Sequence, residues 1–372
     1  MPRLPEAVNR TRAAVAALLD GRGLDREGLD SSGMDSGGSH SGGSGSGGEG
    51  RSGAEGALAG DQLALVACSG GADSLALAAA AAHFVRRGQA RAGGVVVDHQ
   101  LHPDSAEIAA TAAAQLRDLG LDPVLTLAAD VDPASPDGPE AAARAARYRA
   151  FGQALAQTGA AHILLAHTRD DQAEQVLLGL ARGSGTRSLA GIPARRGPFL
   201  RPLLGISREE TEAVCTHEGL SWWEDPANAD PKHLRSRIRT EILPTLEQRL
   251  SGSIRESLAR TAQIAAEDAR YLEDQAKEVF SRLLEDPDEQ GNLRLDLERL
   301  AAEPPALRRR VIALAVVAVG GSNPSSERIA AVEQLLARQG SAGPVELEGH
   351  VSARRGTRDT PDYGKLVFGA RR

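Results

Sequence analysis

The residues Ser69-Gly70-Gly71-Ala72-Asp73-Ser74 are the part of this 372-residue chain best equipped for chemistry. They follow the apolar run 63–68, short enough for a buried strand, and precede 75–82, which is strongly helical. Glycines at a strand-to-helix turn let the backbone approach an anion, and the helix start offers amides with no partner of their own. Ser69 and Ser74 can add hydroxyl donors. Asp73 repels a phosphate unless it holds a divalent cation. The plainer alternative is a Gly-Gly turn whose Ser or Asp caps the helix, because caps favour the same residue types.

A second cluster lies at Asp170, Asp171 and Glu174, spaced i, i+1 and i+4. On a helix Glu174 shares the face of Asp170 and lies near Asp171. Proximity to a helix N-terminus offsets the crowding of these acids by a few tenths to about 1 kcal/mol. Three carboxylates this close favour a cation; the alternative is a charged first turn facing water. Arg144 and Arg147, three apart, share a helical face that in isolation reads as a solvated stripe. His99 stands after an expected strand, where a lone histidine is more often structural.

The elements that must position these groups follow from periodicity. Strands are expected at 62–68, 94–98, 123–127 and 162–166, alternating with helices at 74–87, 105–119, 139–158 and 170–182. This alternation is the βαβ signature of an α/β fold, a doubly wound parallel sheet with helices on both faces. Ligands of such sheets bind beyond the carboxyl ends of the strands, which is where Ser69, Asp98, His99 and His167 fall.

Four regions are expected. Residues 1–20 form an N-terminal helix packing on the catalytic domain. Residues 21–60, rich in Gly and Ser, form a disordered insertion, since they bury too little apolar surface to offset chain entropy. Its formal Gly43-x-Gly45-x-x-Gly48 dinucleotide pattern has no strand before it and no helix after it. Residues 61–245 form the anion-binding domain. Residues 246–372 form a mainly helical domain, with helices at 249–284, 305–319 and 327–338 and a strand-like tail from Pro344. Between Arg308 and Arg372 stand 11 Arg or Lys against 6 Asp or Glu, in a chain whose formal net charge is -7. A local basic surface of this kind suits phosphate tracking, and an ordinary solvated helix face accounts for it equally well.

Cys68 and Cys215 are the only cysteines. No CxxC pair exists for zinc, an iron–sulfur cluster or a redox disulfide. No apolar run reaches about 18 residues and the N-terminus lacks a signal-peptide core, so a cytoplasmic protein with no membrane partner is expected. With an aromatic content of 3%, stacking platforms for single strands are scarce.

The loop matches the SGGxDS signature of PP-loop ATP pyrophosphatases. Further along stand Val97-Asp98-His99-Gln100-Leu101-His102, Glu140 to Tyr148, His167-Thr168-Arg169-Asp170-Asp171-Gln172-Ala173-Glu174, Arg182-Gly183-Ser184-Gly185, Arg201-Pro202-Leu203-Leu204 and Glu224 to Asp230. In this order and spacing, from about 62 to 245, the chain resembles the tRNA(Ile)-lysidine synthase family. The resemblance implies ATP as substrate with Mg2+, and no zinc or iron–sulfur cluster. It implies ATP contacts from Ser69, Gly70, Gly71, Ala72, Asp73, Ser74 and His99, with Asp73 as magnesium ligand. Asp171, Glu174 and Arg147 would serve L-lysine, and Asp73 and Arg147 catalysis. The partner implied is tRNA(Ile) with a CAU anticodon, and a homodimer is compatible. Two departures stand out: many members have Asn at Ser236 and Ser at Ala227. The competing expectations are another PP-loop adenylating synthetase, acting on a small molecule or a different tRNA base, and a non-catalytic tRNA-binding protein.

Overall fold

A computed structural model describes residues 4–19, 62–100, 103–131, 138–183, 185–225, 234–337 and 343–370. The expected disordered insertion at 21–60 lies outside the described residues, as do Leu101, His102, Ser184 and 226–233. The chain divides into two compact units, Met1–Gln263 and Ile264–Arg372.

The first unit opens with α1 (Glu6–Leu19), whose Val8, Val15 and Leu18 are buried in the same core as α2. The alternation that follows is β1 (Leu63–Cys68), α2 (Ala72–Arg86), β2 (Arg91–Asp98), α3 (Ser105–Asp118), β3 (Val124–Ala128), α4 (Pro139–Thr158), β4 (His162–Leu164) and α5 (Arg169–Ala181). After α5 come α6 (Thr186–Leu189), β5 (Arg195–Arg196), β6 (Phe199–Leu200), a 3-10 turn at Pro202–Gly205 and α7 (Arg208–Glu218). Strand order is β3-β2-β1-β4-β6-β5, parallel throughout except for the β5–β6 pair. One face of the sheet packs Val66, Leu75, Leu77, Val96 and Leu116, the other Leu65, Val95, Phe151 and Ile163. The expected doubly wound α/β architecture is therefore the observed one.

Strand β2 starts at Arg91, three residues before the expected 94, and takes in Gly93 and Gly94. The two glycines are there for close packing. A Cβ on Gly93 would stand 2.3 Å from the Pro123 carbonyl oxygen, and one on Gly94 would stand 2.5 Å from Leu116 Cδ1.

The first unit continues with α8 (Leu234–Arg237), a π-helical turn (Ile238–Ile242), α9 (Leu243–Arg249) and the opening turns of the next helix, as far as Gln263. Ile238 and Leu243 pack with Ala173 and Leu178 of α5. Helix α10 (Ile254–Leu283) follows, then β7 (Leu284–Glu285), β8 (Leu293–Asp296), α11 (Leu297–Ala302), α12 (Pro305–Ala318), α13 (Ser326–Leu336), β9 (Val345–Leu347), β10 (Val351–Arg355) and β11 (Lys365–Ala370). The second unit holds a five-stranded antiparallel sheet, β7-β8-β11-β10-β9, whose Leu295, Ala353, Leu366 and Phe368 pack against Val311, Ile312, Val316 and Val332. The strand-like tail becomes β9 to β11, while β7 and β8 add a sheet edge that the helical pattern does not announce. Among the described residues, no helix is long and apolar enough to cross a membrane.

Gly93→Ala is expected to lower stability by about 2–3 kcal/mol, since the backbone carbonyl facing it cannot rotate away. A urea unfolding midpoint measured beside the parent protein checks this.

Candidate active site

The turn after β1 is built as a cradle. Gly70 has φ +82°, a conformation that side chains disfavour, and its carbonyl accepts a 2.9 Å bond from the Trp223 amide. Gly71 is the N-cap of α2 and supplies no side-chain cap, so the helix's first amides are left for an external anion. Ser74 braces the turn from within: its Oγ donates to the Gly71 carbonyl at 2.9 Å and accepts from the Ser69 amide at 3.2 Å. The capping alternative thus fails for the residue at the cap itself, and Ser74 acts as a strut inside the loop.

Asp73 projects from the first turn of α2 toward α7. Its Oδ1 accepts from Thr211 Oγ1 at 2.5 Å, and its Oδ2 lies 3.6 Å from Arg208 Nε. Burial raises the Asp73 carboxyl to about 6, against the opposing pull of Arg208 and Thr211, with Asp171 and Asp170 adding repulsion. The ionised Asp73 is opposed by burial and by its acidic neighbours, and a divalent cation beside it would offset that cost. Among the described residues no group of three or more His, Cys, Asp or Glu could hold a metal alone, so a magnesium ion here would need phosphate oxygens for most of its shell.

The acid helix α5 carries its own capping box. Thr168 donates to Asp171 Oδ2 from its amide at 2.8 Å and from its hydroxyl at 3.1 Å. Asp171 Oδ1 faces Arg235 Nη2 at 3.2 Å, Arg239 Nη2 at 3.4 Å and Arg208 Nη2 at 3.9 Å. Burial opposes ionisation of Asp171, but Arg235, the Thr168 amide, His167 and Arg208 outweigh it and hold the carboxyl below its usual range. Glu174 is 0% exposed and carries two arginines: Arg235 Nε at 2.8 Å from Oε2 and Arg239 Nε at 2.6 Å from Oε1. Asp170 does not join this pair. It accepts from the Arg208 amide at 2.9 Å and from Arg255 Nη1 at 2.8 Å, tying α5 to α7 and α10.

Arg147 and His99 meet across the sheet edge, where Arg147 Nε donates to His99 Nε2 at 3.0 Å. Burial, and then Arg147, pushes His99 down to about 4, so it accepts as a neutral imidazole. Arg144 instead lies over the Tyr148 ring, 5.1 Å from its centroid.

The residues singled out from sequence thus gather at one carboxyl edge. Arg208, Thr211, Arg235 and Arg239 complete the site without having been singled out for it. Ser207-x-x-Glu210 is a capping box visible in the sequence, and it would have placed Arg208 and Thr211 on one helix start. Arg235, Arg237 and Arg239 cannot share a helical face, and they do not: Arg237 is exposed while its neighbours pair with acids.

A family model described as the PP-loop domain matches residues 54–246, and one described as the TilS substrate binding domain matches 295–357. The tRNA(Ile)-lysidine synthase of Leifsonia xyli is 51% identical over 292 residues, 78% of this chain and 87% of the relative. The chain belongs to the tRNA(Ile)-lysidine synthase family. The enzyme of that name from Streptomyces coelicolor is 47% identical over 298 residues, 79% of this chain and 83% of its own length. That from Thermobifida fusca is 45% identical over 313 residues, 83% and 92%. Among solved structures, the U34-tRNA thiolase NcsA of Methanococcus maripaludis aligns with a TM-score of 0.50 at 15% identity, over 70% of this chain and 80% of its own, a likeness of fold. Membership in the lysidine synthase family gives the cradle and the acid pair a common frame.

Because the Asp73 carboxyl is raised in the folded state, its stabilising contribution is full below about 4 and is lost as pH rises through about 6. Asp73→Asn removes this dependence. The melting temperature of the variant relative to the parent is therefore expected to increase between pH 4 and pH 7, read by thermal scans across that range.

Proposed function

We propose that this chain attaches lysine to the wobble cytidine of a tRNA(Ile) bearing a CAU anticodon, splitting ATP to AMP and pyrophosphate. The cytidine C2 carbonyl oxygen attacks the α-phosphorus and pyrophosphate leaves, which turns that oxygen into a leaving group. The lysine ε-amine then attacks C2, AMP departs with the oxygen, and the amine loses a proton. The single observation that supports this reading is that the Gly70–Gly71 turn, with no side-chain cap on α2, and the buried carboxylates Asp171 and Glu174 both follow carboxyl ends of strands in one sheet. This supports amides that hold an anion and acids that hold a cation working at one sheet edge.

Each residue has a proposed part. The amides from Gly70 to Asp73, with the Ser69 hydroxyl, hold the phosphates, and Ser74 keeps the turn in shape. Asp73 is the carboxylate that would hold magnesium, which when bound spreads the negative charge that builds on the phosphates. Arg147, steadied by neutral His99, supplies a cation beside the reacting atoms. Asp171 and Glu174 hold the lysine ammonium, and their present arginine partners fix the cost of entry: lysine binds by displacing or sharing Arg235 or Arg239. A nearby carboxylate or solvent takes the amine's proton before attack.

Incubating an unmodified CAU-anticodon tRNA with the protein, ATP and lysine, followed by nucleoside mass spectrometry, is expected to show lysidine at the wobble position. Release of AMP that needs no tRNA would favour a small-molecule synthetase instead. Asp73→Asn is expected to lower AMP formation at least a hundredfold, about 2.7 kcal/mol of lost transition-state stabilisation, with tRNA affinity within twofold of the parent.

A further inference from the structure

Next to the acid pair lies a cavity of about 410 Å³ lined by Arg144, His167, Gln175, Leu178, Arg182, Ile192, Arg201, Leu234 and Arg235. That volume is within the range of ligand sites, about 300–1,000 Å³. Four of its lining side chains are arginines and none is acidic. Arg201 is the telling one. Only 4% exposed, it spends Nη1 on the Pro193 carbonyl at 2.9 Å, while its Nε is buried with no hydrogen-bond partner. His167 Nδ1 is likewise buried without a partner. An unpaired buried donor on a charged group is costly to keep, and Arg144, Arg182 and Arg201 meet no acidic side chain in the cavity wall. Burial, with Arg144 and Arg196 as like charges, holds Arg201 below its ordinary value against the opposing pull of the Tyr148 hydroxyl, to which the guanidinium also hydrogen-bonds.

We infer that this cavity holds a backbone phosphate of the bound RNA, at a linkage next to the reacting nucleotide. The inference rests on RNA being the substrate, as proposed above, and assigns a group of that substrate to residues given no role so far. The planar forks of Arg201 and Arg182 suit the non-bridging oxygens of a phosphodiester, and Arg201 Nε gains the acceptor it lacks. Arg144 and Arg182 are exposed, so the cavity opens at the surface, where a polymer can pass. Leu178, Ile192 and Leu234 give an apolar wall on which a ribose or an unstacked base can lie. A carboxylate of free lysine has no use for that wall. Arg235 lines the cavity and also grips Glu174, so the phosphate subsite and the acid pair share one guanidinium.

The test uses the full-length protein and CAU-anticodon tRNA assembled by ligation, with a single uncharged methylphosphonate at each linkage flanking the wobble cytidine in turn. With the parent protein, one of these substitutions is expected to weaken tRNA binding about tenfold. With Arg182→Ala, whose side chain is at the rim, the same substitution is expected to cost nothing, because the contact is already gone. Arg182→Ala should also raise KM for tRNA, leave KM for lysine and ATP unchanged, and reduce the salt slope of tRNA binding by about 0.7. Arg201→Gln should do the same if its melting temperature shows it folded. The inference is overturned if Arg182→Ala remains fully sensitive to every methylphosphonate, or if the parent is sensitive to none. It is also overturned if Arg182→Ala raises KM for lysine and not for tRNA, which would assign the cavity to the amino acid's carboxylate. Lysidine formation by the parent on unsubstituted tRNA keeps these outcomes separate from a failure of the functional proposal.

Discussion

A fully enclosed glutamate sets the terms for this site. Glu174 has no access to water, and Arg235 and Arg239 reach it from the segment that starts at Leu234. A buried carboxylate without such partners would be neutral or badly destabilising. The pairing therefore does two things at once. It fastens α8 and its π-helical turn over α5, and it holds two carboxylates at the sheet's carboxyl edge. The apolar contacts of Ile238 and Leu243 with Ala173 and Leu178 hold the same segment down. Its docking therefore does not rest on charge alone.

The charges alternate in sign across the edge. The uncapped amides of α2 are positive, Asp73 is negative, and Arg208 stands between Asp73 and Asp171 at 3.6 and 3.9 Å. Beyond Glu174 the arginines of the cavity make the field positive again. Such a sequence of signs suits a reaction that must bring together a polyphosphate, an RNA backbone and a cationic amine. The chain as a whole is acidic, at -7, so the basic character that an RNA enzyme needs is local.

How much of this could be read from the sequence depends on the length scale of each signal. The β1 to α5 alternation was legible because β1 is a continuous apolar run and α2, α3 and α4 are long and rich in Ala. The two-residue strands β5 and β6 carry no periodicity, so nothing in the sequence announced the antiparallel edge. In the second unit, β8 reads Leu-Arg-Leu-Asp, too brief an alternation to separate from the helix that follows. The cradle and the acid pair were legible as residue types, but their partners were not. Thr211 and Asp73 are 138 positions apart, and Arg239 and Glu174 are 65 apart. Contacts at such separations come from topology, which local patterns do not encode. The arginines at 235 and 239 reach Glu174 together from a helix that widens into a π-turn between them.

The most direct test of this account is a calorimetric titration of L-lysine into the protein, with a non-hydrolysable ATP analogue present, for the parent and for Glu174→Gln. If Glu174 holds the lysine ammonium, the parent binds one lysine saturably and the variant binds at least tenfold more weakly, about 1.4 kcal/mol. Unchanged lysine affinity in a folded Glu174→Gln protein would contradict the account, leaving the buried glutamate as an anchor for its arginines alone.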